Sequence, residues 1–371
     1  MDNRLKIIFF KLLRLGLWGG DASELSESLS SEDWSIIRFY SMNHTVEGLI
    51  YDSFSFLDEH QLPPQPLRLK WAVRIDQIEK YNEKINHTIA EQYKSFREYG
   101  LYPILQKGQG VACHYNIPNH RMSGDIDWYF ENEGFAKARD FLNAQNQGFY
   151  NTAGFSLEYD QNGIHIEHHK MLFDIRNPFK KKYLEKIQTE YKDSKQTLLI
   201  NGTHVQLLAP ELQLLQVNAH ILKHLISFGI GLRQFCDSAR LYHAMCHQIN
   251  PTSLKQLYKK AGILNWSHLL HKFLVEFIGL PYNVLPFPYP NNLKIDWMTE
   301  EIWNSGNFGF YDSRYENDKI ISTISVRPNG GVRLWNNFLR YFKYAPQEVA
   351  FFPIMHTFSK FWDTSKDKPQ L

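Results

Sequence analysis

One change of period constrains this chain more than any other feature. Most of its 371 residues repeat apolar side chains at helical spacing, but between Leu101 and Pro178 the repeat shortens to two. "DIDWYF" (125–130) alternates acidic and apolar residues, and "LYPILQKGQG" (101–110) is a short apolar run ending in glycines. "GFSLEYD" and "IHIEHH" flank "QNG" as two strands flank an Asn-Gly turn, and "EGFAKARDFLNAQ" has helical spacing. The local order is therefore strand, strand, helix, hairpin. With helical pattern on both sides, the expected class is α+β, a small mixed β-sheet core between helical regions. Residues 1–99, 100–208 and 209–371 are the expected segments.

The first segment carries an apolar stripe at Ile75, Ile78, Ile85, Ile89 and Phe96. Pro63, Pro64 and Pro66 precede that long helix, Gly100 stands at its end, and Ser31 is the expected cap of "SEDWSIIRFY". The third segment opens with two helices around "GIG" (229–231); "TLLINGTHVQLL" before it is strand-like, "FKKKYLEKIQTEYKDSKQ" a basic, polar stretch. The region 281–292 is proline-rich and irregular, Gly330-Gly331 is an expected turn, and the aromatic stretches up to "FFPIMHTFSKFW" are expected core.

Composition narrows the classes. Hydrophobic residues at 43% and dispersed charge describe a globular chain, and a net charge of +2 argues against a nucleic-acid coat. Cys113, Cys236 and Cys246 form no CxxC and cannot all pair, which points to a reducing compartment and the cytoplasm. "LKIIFFKLLRLGLW" is interrupted by Lys11 and Arg14, so it reads as a packed amphipathic helix, neither signal peptide nor membrane span.

Asp125 and Asp127 share one face of their strand, and His165, Glu167 and His169 share one face of theirs. With the apolar faces in one core, three carboxylates point together and invite a hard divalent cation. Without one, two like charges on a strand cost stability, so Asp125→Asn or Asp127→Asn is expected to leave stability unchanged or higher. Lys107 and Gly108 follow a strand directly, where an amine and backbone N–H groups can meet a phosphate, and Arg121 is a second cation. Arg233 and Asp237 lie four apart, so a helix-surface ion pair is the alternative to a cleft role. His220-x-x-x-His224 lacks the glutamate of a zinc helix motif.

These pieces together resemble the DNA polymerase beta-type nucleotidyltransferase superfamily, and within it an uncharacterised bacterial nucleotidyltransferase family. "LQKG" (105–108), "RMSGDID" (121–127), "IEHH" (166–169) and "HILKHLISFGIGLRQFCD" (220–237) carry the resemblance. It implies that the sheet is a nucleotidyltransferase core, transferring a nucleoside monophosphate from a nucleoside triphosphate to an acceptor hydroxyl or phosphate and releasing pyrophosphate. It further implies Mg²⁺ or Mn²⁺ held by Asp125, Asp127 and Glu167, with Glu167 helping to activate the acceptor. Nucleotide contacts would come from Lys107, Gly108, Arg121, Gly124, Arg233 and Asp237. Glu158 and Asp174 compete with Glu167 as third carboxylate. The acceptor, small molecule or protein, is open, and a nucleic-acid end is disfavoured by the small net charge. The rival reading is a non-catalytic protein binding nucleotide or a partner on the same fold; hydrolysis with water as acceptor is a second alternative.

Overall fold

The computed structural model describes residues 2–23, 25, 27–131, 133–152, 155–309, 312, 314 and 330–363, the last without side chains beyond 354. The expected core role of "FFPIMHTFSKFW" therefore lies mostly outside the described side chains. Helices α1 (Asn3–Trp18), α2 (Ser31–Asn43) and α3 (Glu47–Asp52) open the chain, followed by the 34-residue α4 (Gln65–Glu98). The cap of α2 is Ser30, not Ser31. Its side chain and that of Asp33 satisfy each other's backbone N–H groups, a reciprocal pairing that Ser31 is too late to make. Pro66 sits in the first turn of α4, and Gly100, at φ 76°, ends it with the Leu101 amide on the Phe96 carbonyl.

The stripe on α4 serves two cores. Ile75 and Ile78 join the large helical core, whereas Ile85, Ile89 and Phe96 lie under the sheet. That sheet contains β1 (Ile104–Gln106), β2 (Asp125–Tyr129), β3 (Tyr150–Thr152), β4 (Ser156–Gln161) and β5 (Ile164–His169) in the order β1-β2-β5-β4-β3. Strand β2 runs parallel to β5 and every other pairing is antiparallel, so the sheet is mixed and the α+β expectation holds. The short α5 (Gly108–Ala112) follows β1, and α6 (Gly134–Ala144) crosses over after β2. The β4–β5 turn sets Asn162 and Gly163 both at positive φ, the mirror-image geometry that suits strand twist.

One helix was not expected, and the strand-like stretch proves to be two strands. The basic stretch folds as α7 (Lys181–Glu190), burying Leu184 and Ile187 and pairing Lys186 with Glu190 across one turn. "TLLINGTHVQLL" is a complete ribbon, β6 (Gln196–Ile200) and β7 (Thr203–Leu207), turning at Asn201-Gly202. The expected helices around "GIG" are α8 (Pro210–Ser227) and α9 (Leu232–Met245). Further on come α10 (Pro251–Ala261), α11 (Leu264–Phe273), α12 (Asp296–Ser305), α13 (Gly330–Tyr341) and α14 (Pro346–Asp363). Gly330 opens α13 instead of forming a turn.

The first helix packs against α12 in the large core. Phe9 and Phe10 of α1 pack on Trp303 of α12, the Trp18 indole donates to the Ile278 carbonyl at 2.8 Å, and Lys6 pairs with Glu300. Among the described residues no helix is long and apolar enough to cross a membrane.

Candidate active site

The pairing of β2 with β5 builds the site. Asp127 stands opposite Glu167 and Asp125 opposite His165, while Ile126, Trp128, Ile164 and Ile166 fill the core beneath. Alternation thus lifts Asp125, Asp127, Glu167 and His169 onto one face, where they line a cleft of about 200 Å³. Helices α8 and α9 form its opposite wall through His220, Lys223, His224, Arg233 and Asp237.

Among the described residues the ligand atoms of Asp127, Glu167 and His169 lie within 4.8 Å of one another. Two carboxylates and an imidazole fit a divalent cation, with oxygen donors suiting Mg²⁺ and the mixed set suiting Mn²⁺. Glu158 is level with Glu167 on the neighbouring strand, but it accepts from Ser156 at 2.8 Å and does not line the cleft. Asp174 does line it, yet both its oxygens are engaged, one by His220 Nδ1 and one by Lys223 Nζ, each at 2.8 Å.

The two aspartates differ in a way their spacing does not reveal. Asp127 is nearly inaccessible, and its Oδ1 meets His169 Nε2 at 2.6 Å and Lys107 Nζ at 3.1 Å. Burial would raise its carboxyl, but Lys107 and His169 outweigh burial and hold it well below the usual carboxylate range. Asp125 is pushed up, by burial first and then by Asp127, and Glu167 is pushed up by the same two causes. For Asp127 these partners argue against the expectation that replacing either aspartate leaves stability unchanged. Its cost as a buried like charge is offset by the Lys107 ammonium and by its hydrogen bond with His169, contacts that strand alternation alone does not reveal.

Lys107 does not point freely at a phosphate. It is a non-glycine at φ 47° and ψ −137°, a strained conformation that bends the chain out of β1 and lays the amine on Asp127. Gly108 follows at φ 40°, in a region L side chains rarely adopt. Gly124 lines the cleft beside open space, its carbonyl accepting from Tyr81 at 3.2 Å.

Arg121 and Asp237 meet each other. The buried guanidinium clasps both carboxylate oxygens at 2.7 Å, and Tyr115 donates to the same carboxylate at 2.6 Å. Asp237 is held below its ordinary range because Arg121 outweighs burial. The ion pair of Arg233 with Asp237 is therefore absent. Arg233 donates to the Met122 carbonyl and leaves its Nε buried without a partner, and burial, with Arg121 nearby, pushes its guanidinium down.

Sequence reading passed over Gln106, buried at the end of β1 with Nε2 unpartnered in the cleft wall. The link of Asp174 to His220 and Lys223 was also missed; the three-residue spacing of the latter pair on α8 was its one visible sign.

The charged lining consists of Asp125, Asp127, Glu167, Asp174 and Asp237 against Lys107, Arg121, Lys223 and Arg233. Five acidic groups against four basic ones leave one net negative charge, with histidines neutral. Such a cleft attracts cations and repels a bare triphosphate.

Comparison with known proteins agrees with this chemistry. Residues 30–279 match the family described as "Uncharacterised nucleotidyltransferase". Among solved structures, an antigenic nucleotidyltransferase-like protein from Paracoccidioides brasiliensis is 15% identical, with 44% of this chain and 76% of that chain covered. Its TM-score is 0.30, too low to carry a structural argument. No curated protein matches. Since the match spans well over half of the 371 residues, the chain belongs to this uncharacterised nucleotidyltransferase family.

Proposed function

We propose that the protein is a metal-dependent nucleotidyltransferase of the DNA polymerase beta type. It moves a nucleoside monophosphate from a nucleoside triphosphate to the hydroxyl or phosphate of a small-molecule or protein acceptor. The observation that carries this reading is the common face of Asp125, Asp127 and Glu167 on two adjacent parallel strands, in a cleft whose own charge is negative. A polyanionic nucleotide enters such a cleft only with cations, and Asp125, Asp127 and Glu167, with His169 at their side, are the residues that would hold them.

Bound there, Mg²⁺ or Mn²⁺ would neutralise the triphosphate and polarise the α-phosphorus. The chain's own part is positioning. Lys107, whose amine lies on Asp127, would lend its charge to the phosphates; Gly108 and Gly124 would leave room for them, and Arg233 would offer its unpartnered Nε. The Arg121–Asp237 clasp braces the loop before β2 and holds the base of the nucleotide site. The segments 100–208 and 209–371 supply the two walls, residues 1–99 the packing behind them, and the reducing cytoplasm suits the unpaired thiols.

The test uses ATP, GTP, CTP and UTP labelled at the α- or γ-phosphate, with Mg²⁺ and candidate acceptors. The α-label should leave as a nucleotidylated product while the γ-label appears in pyrophosphate. Release of the γ-label as inorganic phosphate would contradict the reading. Tight binding of Mg²⁺ and triphosphate with no pyrophosphate from any acceptor would favour a non-catalytic nucleotide-binding protein.

A further inference from the structure

Nucleotidyl transfer requires a group that takes the acceptor's proton. Glu167 is poorly placed for it, because one oxygen already faces His169 Nε2 at 3.3 Å and the carboxylate belongs to the cation-holding set. Across the cleft stands a group with a free lone pair. We propose that His220, oriented by Asp174, is the general base that deprotonates an acceptor hydroxyl, so that α8 carries the acceptor side of the site.

The geometry is specific. His220 Nδ1 lies 2.8 Å from Asp174 Oδ2, and a carboxylate so placed accepts a hydrogen bond from Nδ1–H. The neutral ring then carries its lone pair on Nε2, which has no hydrogen-bond partner among the described residues. The ring lines the same cleft as Lys107, Asp125 and Asp127. Lys223 occupies the other oxygen of Asp174 at 2.8 Å, and this fixes the carboxylate's orientation. His224, one turn along α8, packs edge-on against His220 at 4.4 Å between centroids and closes the ring's remaining side.

Charge around the ring keeps it in the accepting form. Burial first and Lys107 second bring His220 down to about 4, with Asp174 opposing them and Lys223 reinforcing them, and His224 is itself held neutral by burial. A bound triphosphate offsets Lys107 and Lys223, strengthening the base when it is needed. In the step, the hydroxyl oxygen forms a bond to the α-phosphorus, and its proton passes to Nε2. The bond from the α-phosphorus to the bridging oxygen breaks, and pyrophosphate leaves with that electron pair. The imidazolium, paired through Nδ1–H with Asp174, returns its proton to solvent after the product departs. Asp174 is thus a positioning residue and His220 the catalytic one.

This inference rests on the nucleotidyl-transfer reading. The experiment measures pyrophosphate release from Mg²⁺-ATP with three probe nucleophiles: water, glycerol and fluoride, the last needing no deprotonation. His220→Gln should lower kcat with water and glycerol by about 10²–10⁴-fold, leave KM for ATP within about twofold, and keep formation of the nucleoside phosphorofluoridate within about threefold. Asp174→Asn should lower kcat with glycerol and displace its pH profile, with the fluoride reaction again spared. Equal losses with glycerol and fluoride would mean a structural role, and no loss at all would overturn the proposal alone. A wild-type protein that releases no pyrophosphate with these three or with any candidate acceptor sinks the nucleotidyl-transfer reading itself. Nitrogen-15 imidazole spectra of the wild type give an independent arm. They should find His220 as the Nδ1–H tautomer, and the Nε2–H tautomer would overturn the proposal even if the variants fail to fold.

Discussion

Replacing Asp125 and Asp127 separately by asparagine should split two residues that look equivalent in the sequence. Asparagine keeps the size of the side chain and removes the charge, so the variants report what each charge contributes. For Asp127 that charge is favourable: its folded carboxyl lies below its unfolded value because Lys107 and His169 outweigh burial. Removing one partner of a buried pair costs about 3–5 kcal/mol. The low end applies, since Lys107 still faces Asp174, Asp125 and Glu167. A chain of 371 residues unfolding as one unit has an entropy near 0.8 kcal/mol/K at about 2.1 cal/mol/K per residue, so a loss of ~3 kcal/mol lowers Tm by about 4 °C. Asp125 is the reverse case, raised by burial and by Asp127, so its charge opposes folding at neutral pH and asparagine leaves Tm unchanged or higher. Differential scanning fluorimetry at pH 7 with chelator measures both. Equal stability of wild type and Asp127→Asn, or an equal loss in Asp125→Asn, would refute the electrostatic account.

Other consequences follow from the same groups. His44, His168 and His271 are fully buried, and burial brings each down to about 3. Their folded values lie below the unfolded value near 6.5, so the unfolded state takes up protons first and stability falls as pH drops below about 6.5. At pH 5 each costs ~2 kcal/mol, ~6 in total, a large share of a typical folding free energy of about 5–15 kcal/mol. Far-UV circular dichroism should follow acid unfolding near pH 5, and an intact fold at pH 4 would contradict this. Affinity for Mn²⁺ should fall as pH is lowered, because Asp125 and Glu167 are raised and must lose protons to bind; calorimetry yielding pH-independent affinity would count against these ligands. Asp237→Asn should destabilise by about 3–5 kcal/mol, since it leaves the buried Arg121 guanidinium without its carboxylate, and urea unfolding would expose the error if the loss is under about 1 kcal/mol.

Period alone made much of this fold legible. Alternation in "DIDWYF" and "IHIEHH" identified both central strands and which side chains share a face, because that relation is local to a strand. It could not give their parallel pairing, which follows from the crossover through α6. The ribbon β6–β7 carried the same Asn-Gly signal as the recognised hairpin, whereas α7 was hidden because only Leu184 and Ile187 of its ten residues are buried, too few for a clear apolar stripe. At the site, the residue types were readable and their partners were not. Arg121 meets a carboxylate 116 positions away, and Asp174 is fixed by His220 and Lys223 of α8. Such contacts arise from packing the helical wall onto the sheet, and no local periodicity encodes them.

The most direct measurement is a crystal structure with Mn²⁺ and a non-hydrolysable ATP analogue, with anomalous scattering locating the metal. The account predicts manganese bound by Asp125, Asp127 and Glu167, the triphosphate bridging from it toward Lys107 and Gly108, and His220 facing the α-phosphorus across the cleft. Manganese absent from these carboxylates while the nucleotide sits elsewhere would contradict it.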